Sequence, residues 1–305
     1  MRTRLAGAIA ALTMVMAPGT AGAQGTCDKS CLEQIVALYR AAYLAHDPAA
    51  APFAATVRFT ENNVEMPFPD GSWDTVTEEV GTPLILSDPL SGQAAIFTGI
   101  MQSEIPGFLA VRLRIKDRKI TEVEHMLSTR RNLSSPPTPF EDPHGFRRPA
   151  DRSAVVPEAE RNTREELTRL GDGYFQTLEN NTGEIRNTRF SPDAVRYENG
   201  MIFRDIEKGF KLGTYAFNNK VRRVPVLVDE ARGISLFRGF IDHKGVMADY
   251  KLTDGSWRKS IFREPHSWAF LEMFKIKGGM ITGVEATFIG TSYNQVSPWG
   301  PGNGK

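Results

Sequence analysis

Along this chain the spacing of apolar residues changes from helical to strand-like and then repeats the whole pattern. Leu32, Ile35, Val36, Tyr39 and Tyr43 recur every three or four positions, which predicts an amphipathic helix ending at Asp47-Pro48. Leu167, Leu170, Tyr174, Phe175 and Leu178 form a second such stripe, ended by Asn180-Asn181-Thr182-Gly183. Both stripes are read as packing faces, because amphipathic helices normally cover a sheet in this way.

Strand-like runs follow each helix in the same order. Val57-Arg58-Phe59 and Val195-Arg196-Tyr197 lead into Glu-Asn turns, and Asn199-Gly200 is a hairpin signal. Asp88 and Asp229 open tight turns closed by Gly92 and Gly233, so both aspartates are read as structural. Long strands over 108–116 and 267–277 then turn into the endings KITEVEHM (119–126) and GMITGVEAT (279–287). The identical Asp-Gly-Ser-Trp runs at 70–73 and 254–257 fall on opposite sides of the Asp-to-Gly turn and are set aside as coincidental turns.

A repeat of this length implies two similar domains in tandem, each with its own core. The expected organisation is a leader over 1–23, a first domain over 27–130, a Pro-rich linker over 131–160, a second domain over 161–295 and a tail over 296–305. The expected fold class is α+β, with an N-terminal helical region packed on a curved, mostly antiparallel sheet in each half.

The first residues carry positive charge at Arg2 and Arg4, an apolar stretch from Leu5 to Pro18 and a small-residue site at Ala21-Gly22-Ala23. That succession is the pattern of an export signal and predicts a periplasmic or secreted protein, with no membrane association after cleavage. Two cysteines, Cys27 and Cys31, lie one helical turn apart, and in an oxidising compartment a disulfide between them is expected. The alternative of a redox or metal-binding pair has no further ligands nearby. A net charge of +1 gives no electrostatic argument for nucleic acid. The five histidines show no metal-ligand spacing with carboxylates, so no metal is expected.

The order of elements, the Arg58-Phe-Thr-Glu-Asn62 run and the ending Ile-Thr-x-Val-Glu resemble the nuclear-transport-factor-2-like superfamily, which includes ketosteroid isomerase and SnoaL-type cyclases. The resemblance covers both halves and is closest to a poorly described exported branch. It implies two tandem cone-shaped α+β barrels, each with an apolar pocket. It further implies cofactor-free acid–base chemistry and dimerisation, either as a homo-oligomer or as an intramolecular pseudo-dimer of the two halves.

Strand alternation sorts the candidate residues. Glu124 and Glu285 align across the repeat and are candidates for a general acid or base, the competing reading being a salt bridge. Trp268, Phe270, Glu272, Phe274 and Ile276 share a face that is apolar except for Glu272. A carboxylate among aromatic rings is costly unless paired or protonated, which makes Glu272 the sharpest catalytic candidate and Trp268, Phe270 and Phe274 candidate walls. Val111 holds the aligned position in the first half. His125 is a candidate base, but it faces away from Glu124 and is replaced by Ala286 in the second half. Glu61 and Glu198 sit at matching turns, with Arg58 and Arg196 close in sequence as partners or anion anchors. His243 and His266 flank an insertion over 242–266 in the second half.

These readings converge on a cofactor-free lyase, dehydratase or isomerase acting on a small apolar or aromatic molecule. A lignin-derived aromatic dimer losing water or formaldehyde is one such substrate. The alternative is a non-catalytic module that holds a hydrophobic ligand or a partner protein.

Overall fold

A computed structural model describes residues 27–129, 138–243, 248–260 and 264–300. The expected leader, residue 130 of the first domain, residues 131–137 of the linker and residues 301–305 of the tail lie outside the described residues.

The first half opens with helix α1 (Lys29–Leu44). Asp28 caps it by accepting from the Cys31 N–H at 2.9 Å, and a Cys27–Cys31 disulfide ties the cap to the first turn. Strands β1 (Phe53–Glu61), β2 (Val64–Met66), β3 (Val76–Asp88), β4 (Gln93–Gln102), β5 (Ile105–Lys116) and β6 (Lys119–Thr129) follow. They form a six-stranded sheet in the order β2-β1-β6-β5-β4-β3, with β1 and β6 parallel and the other pairs antiparallel.

The second half repeats this. Helix α2 (Arg164–Leu178) begins with a capping box between Thr163 and Glu166. Strands β7 (Phe190–Glu198) and β8 (Met201–Phe203), the short helix α3 (Ile206–Lys211), and strands β9 (Lys220–Asp229) and β10 (Ile234–His243) come next. A small hairpin, β11 (Tyr250–Lys251) and β12 (Trp257–Arg258), precedes β13 (His266–Lys277) and β14 (Met280–Thr291). The sheet order β8-β7-β14-β13-β10-β9 is that of the first half.

The expectation of two cone-shaped α+β barrels is overturned. The chain is mostly β, with two six-stranded sheets and three α-helices among the described residues. The edge strands β2 and β3, and likewise β8 and β9, do not pair, so neither sheet closes. The physical reason lies in how the apolar residues are shared. One face of the first sheet packs on α1 through residues such as Ile96, Leu109, Val111 and Val123. Alternate residues of the same strands, Leu84, Ala95, Phe97, Ala110 and Met126, pack on Leu236, Phe240, Ala269, Leu271 and Met273 of the second sheet. The two open sheets therefore lie face to face with one long helix outside each. Period-2 alternation here marks two buried faces rather than one buried and one wet.

Polar links join the halves with approximate twofold symmetry. Asp88 accepts from the Val228 N–H at 3.1 Å, and Asp229 accepts from the Ser87 N–H at 3.2 Å. The linker is pinned rather than loosely extended. Arg148 donates to both carboxylate oxygens of Glu285, and Arg152 is buried over Gly283, where a Cβ would lie 1.7 Å from its guanidinium carbon.

Candidate functional site

The site is built where β7, β14 and β13 run side by side beneath α2. Glu198 pairs in register with Ala286, and Ala286 with Glu272, so two carboxylates flank a methyl group across three strands. At the usual strand separation they stand about 10 Å apart along the sheet. The Glu-Asn turn fixes the outer one. Asn199 adopts a left-handed backbone (φ 45°), and its side chain bonds both the N–H and the carbonyl of Phe288, holding β7 onto β14. Asn62 makes the same pair of bonds to Leu127 in the first half, which accounts for the repeated dipeptide.

Arg196 and Glu198 lie two residues apart on β7 and therefore share the face under α2. Arg196 donates to the Tyr174 hydroxyl at 2.9 Å and the Tyr215 hydroxyl at 3.1 Å. Its Nε lies 2.7 Å from Glu198 Oε1, a close ionic contact without hydrogen-bond alignment. Beside this group is a cavity of about 240 Å³, walled by Leu178, Phe203, Trp268, Phe270 and Phe288, with Glu272 among them.

The electrostatics follow from burial. Desolvation pushes the Glu272 carboxyl from the ordinary 4.5 up to about 8; nearby Glu198 adds to the rise, while Arg196 and Tyr174 oppose it. Glu272 is thus mainly protonated at neutral pH. Desolvation also raises Glu198, opposed by Arg196. Burial alone would lower Arg196, but Glu198 and the two tyrosines hold its charge in place. At the far end of β10 and β13, His243 and His266 stack at 4.4 Å, with His243 4.9 Å from the Trp268 ring. Desolvation lowers His243 to about 3, so this imidazole stays neutral.

In the first half the same positions are filled. His125 takes the place of Ala286 and pairs in register with Glu61 and with Val111. Its Nε2 is 2.5 Å from the Tyr39 hydroxyl, and its Nδ1 is 3.1 Å from Ser72 Oγ and 3.4 Å from Glu61. Ser72 also bonds Glu61 through both its hydroxyl and its N–H. Burial would raise the Glu61 carboxyl, but the His125 and Ser72 contacts hold it below its ordinary value. Tyr39, Tyr43 and Phe59 surround the imidazole edge-on, and Trp73 stands edge-on to both tyrosines. Only about 10 Å³ of space is found beside Tyr39, Tyr43 and Val111. One half is therefore plugged by its own imidazole and the other is open.

The remaining sequence candidates lie elsewhere. Glu124 is buried between the sheets against Arg112 (2.5 Å) and Arg238 (3.3 Å), and Glu285 is clamped by Arg148. Arg58 stands at the surface, paired with Glu65 and stacked on Trp299, because its odd spacing from Glu61 turns it to the opposite face from that glutamate. Phe274 packs 4.9 Å from the Tyr174 ring, in the core beside the cavity rather than in its wall. Sequence reasoning missed Tyr174, Tyr215 and Ala286 as site residues, together with Tyr39, Ser72 and Trp73. Tyr39 and Tyr174 hold equivalent places in the two helical stripes, a signal the repeat carried. Ser72 and Trp73 belong to the run set aside as a coincidental turn; it is a short 3-10 turn, Gly71–Asp74, that delivers Ser72 to His125 and Trp73 to the rings of Tyr39 and Tyr43.

A larger groove of about 390 Å³ runs between β3 and the linker past Thr82, His144 and Arg147, but the one carboxylate lining it, Glu78, is exposed. Among the described residues no cluster of three or more His, Cys, Asp or Glu is arranged to hold a metal ion.

A family model described as a domain of unknown function (DUF8021) matches residues 160–288, the half that contains the open cavity. None of the curated proteins matches the chain. Among solved structures, the chain is similar to AclR, a putative hydroxylase from Streptomyces galilaeus, at 13% identity and a TM-score of 0.28, over 34% of this chain and 82% of that one. It is also similar to a de novo designed protein with a curved β-sheet, at 16% identity and a TM-score of 0.27, over 41% of this chain and 86% of that one. Likenesses this partial carry no conclusion about the whole fold or its activity.

Proposed function

We propose that the second half binds a small, largely apolar or aromatic molecule and acts on it as a cofactor-free lyase, dehydratase or isomerase. The observation that carries this reading is Glu272, a protonated carboxyl facing an aromatic cavity across Ala286 from the ion-paired Glu198. In a dehydration, Glu272 donates its proton to a leaving hydroxyl and the C–O bond breaks. Glu198 takes a proton from the neighbouring carbon as the C=C bond forms, and water departs. Arg196, held by Tyr174 and Tyr215, stabilises negative charge that develops beside it. A lignin-derived aromatic dimer losing water or formaldehyde belongs to the substrate class such walls admit.

Kinship with the nuclear-transport-factor-2-like superfamily is part of the proposal, supported by the element order that the two halves share. Export to the periplasm or medium is a further part, supported by the leader-like N-terminus and by the Cys27–Cys31 disulfide. Glu285 and Glu124 do not enter the chemistry, since each is held in ion pairs between the sheets.

The rival reading is a binding module without turnover. It is favoured by the mutual engagement of Arg196, Glu198 and the two tyrosines along the cavity wall. The two are separated by incubating the mature protein, without cofactor, with a pool of aromatic and terpenoid compounds, and following each by mass spectrometry. Loss of a compound to a product lighter by water or formaldehyde, or of equal mass and altered retention, supports turnover, provided that E272Q abolishes it. Retention of a compound without conversion supports the binding module.

A further inference from the structure

The hairpin β11–β12 is an insertion of the second half, between β10 and β13, that the first half lacks. It is fastened beside the cavity mouth: Tyr250 donates its hydroxyl to the Thr214 carbonyl at 2.7 Å, and Thr253 bonds the carbonyls of Leu212 and Lys211. This places Arg258, an exposed residue of β12, on the rim of the cavity that holds Glu272. Among the described residues no carboxylate pairs with Arg258.

The charges around the cavity make that position informative. Arg196 and Glu198 neutralise one another, and Glu272 is protonated at neutral pH. Burial holds the Tyr174 phenol well above its ordinary value, so it is uncharged there. What remains is the guanidinium of Arg258, an uncompensated positive charge at the mouth of an aromatic chamber. A ligand complementary to this arrangement is apolar at its inner end and anionic at its outer end.

We propose that the cavity takes a ring-bearing monocarboxylate, with the ring among Trp268, Phe270 and Phe288 beside Glu272 and the carboxylate paired with Arg258 at the rim. This narrows the ligand class of the proposed function and rests on the same cavity, but it does not depend on Glu272 being catalytic.

The test is isothermal titration of the mature protein with matched acids and amides: cinnamate and cinnamamide, 2-naphthoate and 2-naphthamide, phenylacetate and phenylacetamide. Wild type is expected to bind at least one carboxylate about tenfold or more tightly than its amide, as a charge-assisted pair to guanidinium warrants. R258Q, a surface change that leaves the core untouched, is expected to erase that preference by bringing the affinity for each carboxylate down to that for its amide. The proposal is overturned if no acid in the panel outbinds its amide, or if R258Q keeps the preference. Failure of the acid–base reading shows instead in E272Q, as turnover unaffected by the substitution, while the acid-to-amide preference set by Arg258 persists.

Discussion

His125 and Ala286 hold the same register position in the two sheets, each directly paired with a glutamate at the end of a parallel strand, Glu61 in one half and Glu198 in the other. Where the imidazole stands, the half is packed around it; where the methyl group stands, a cavity of about 240 Å³ opens. The difference between a filled and an open half thus centres on one side chain and the groups that partner it.

Replacing His125 by Ala removes the group that bridges Tyr39 to Glu61 and Ser72. The expected cost is about 2–4 kcal/mol, from the void and the orphaned hydroxyl and carboxylate together. Urea unfolding measures it. Free imidazole added to H125A is expected to recover part of the loss by occupying the vacated site, and to leave wild type unchanged.

Enlarging Ala286 to Phe fills the open cavity from its floor. Because space is available, the stability change is expected to stay below about 1 kcal/mol, less than overpacking a filled core costs. Ligand binding is expected to be lost. Titration calorimetry and thermal unfolding of A286F check the two halves of this expectation.

Stability should carry a signature of Glu272. Its carboxyl is raised by burial from the ordinary 4.5 to about 8, so between those values the folded chain holds a proton that the unfolded chain has released. The stabilisation is fully present below the unfolded value and is lost as pH rises toward 8, at up to about 1.4 kcal/mol per pH unit from this one group. E272Q carries no such proton. The wild-type-minus-E272Q difference in unfolding free energy is expected to fall steadily between about pH 5 and pH 8, measured by denaturant titration at fixed ionic strength.

Glu124 joins the two sheets electrostatically, between Arg112 of its own half and Arg238 of the other. Removing one partner of a buried ion pair strands the remaining charges, so E124Q is expected to cost about 3–5 kcal/mol. A double-mutant cycle with R238M checks the assignment: coupling between Glu124 and Arg238 is expected, and simple additivity would contradict it.

The repeat and the order of elements were legible in the sequence because each half restates the same helical stripe, Glu-Asn turn and terminal Ile-Thr strand. Closure was not legible. Alternation reports that both faces of a strand are buried, but not whether a residue such as Ala95 or Leu271 meets a helix or another sheet. Glu272 stood out because it interrupts an aromatic face, and Arg196 and Glu198 join it because β7 pairs with β14. Glu285 and Glu124 looked equally suited to chemistry. Their partners Arg148 and Arg238 are distant in sequence and come together with them only through tertiary packing. Tyr174 was read as a core residue, which it also is, since its ring packs on Phe274 while its hydroxyl receives Arg196.

The most direct test of this account is the titration of Glu272 in the ligand-free protein, followed by carbon-13 NMR of labelled glutamate side chains and assigned with E272Q. A carboxyl that stays protonated through neutral pH and titrates near 8 is the expected result. Titration in the ordinary range, near 4.5, would contradict the claim that the second half holds a neutral acid ready for proton transfer.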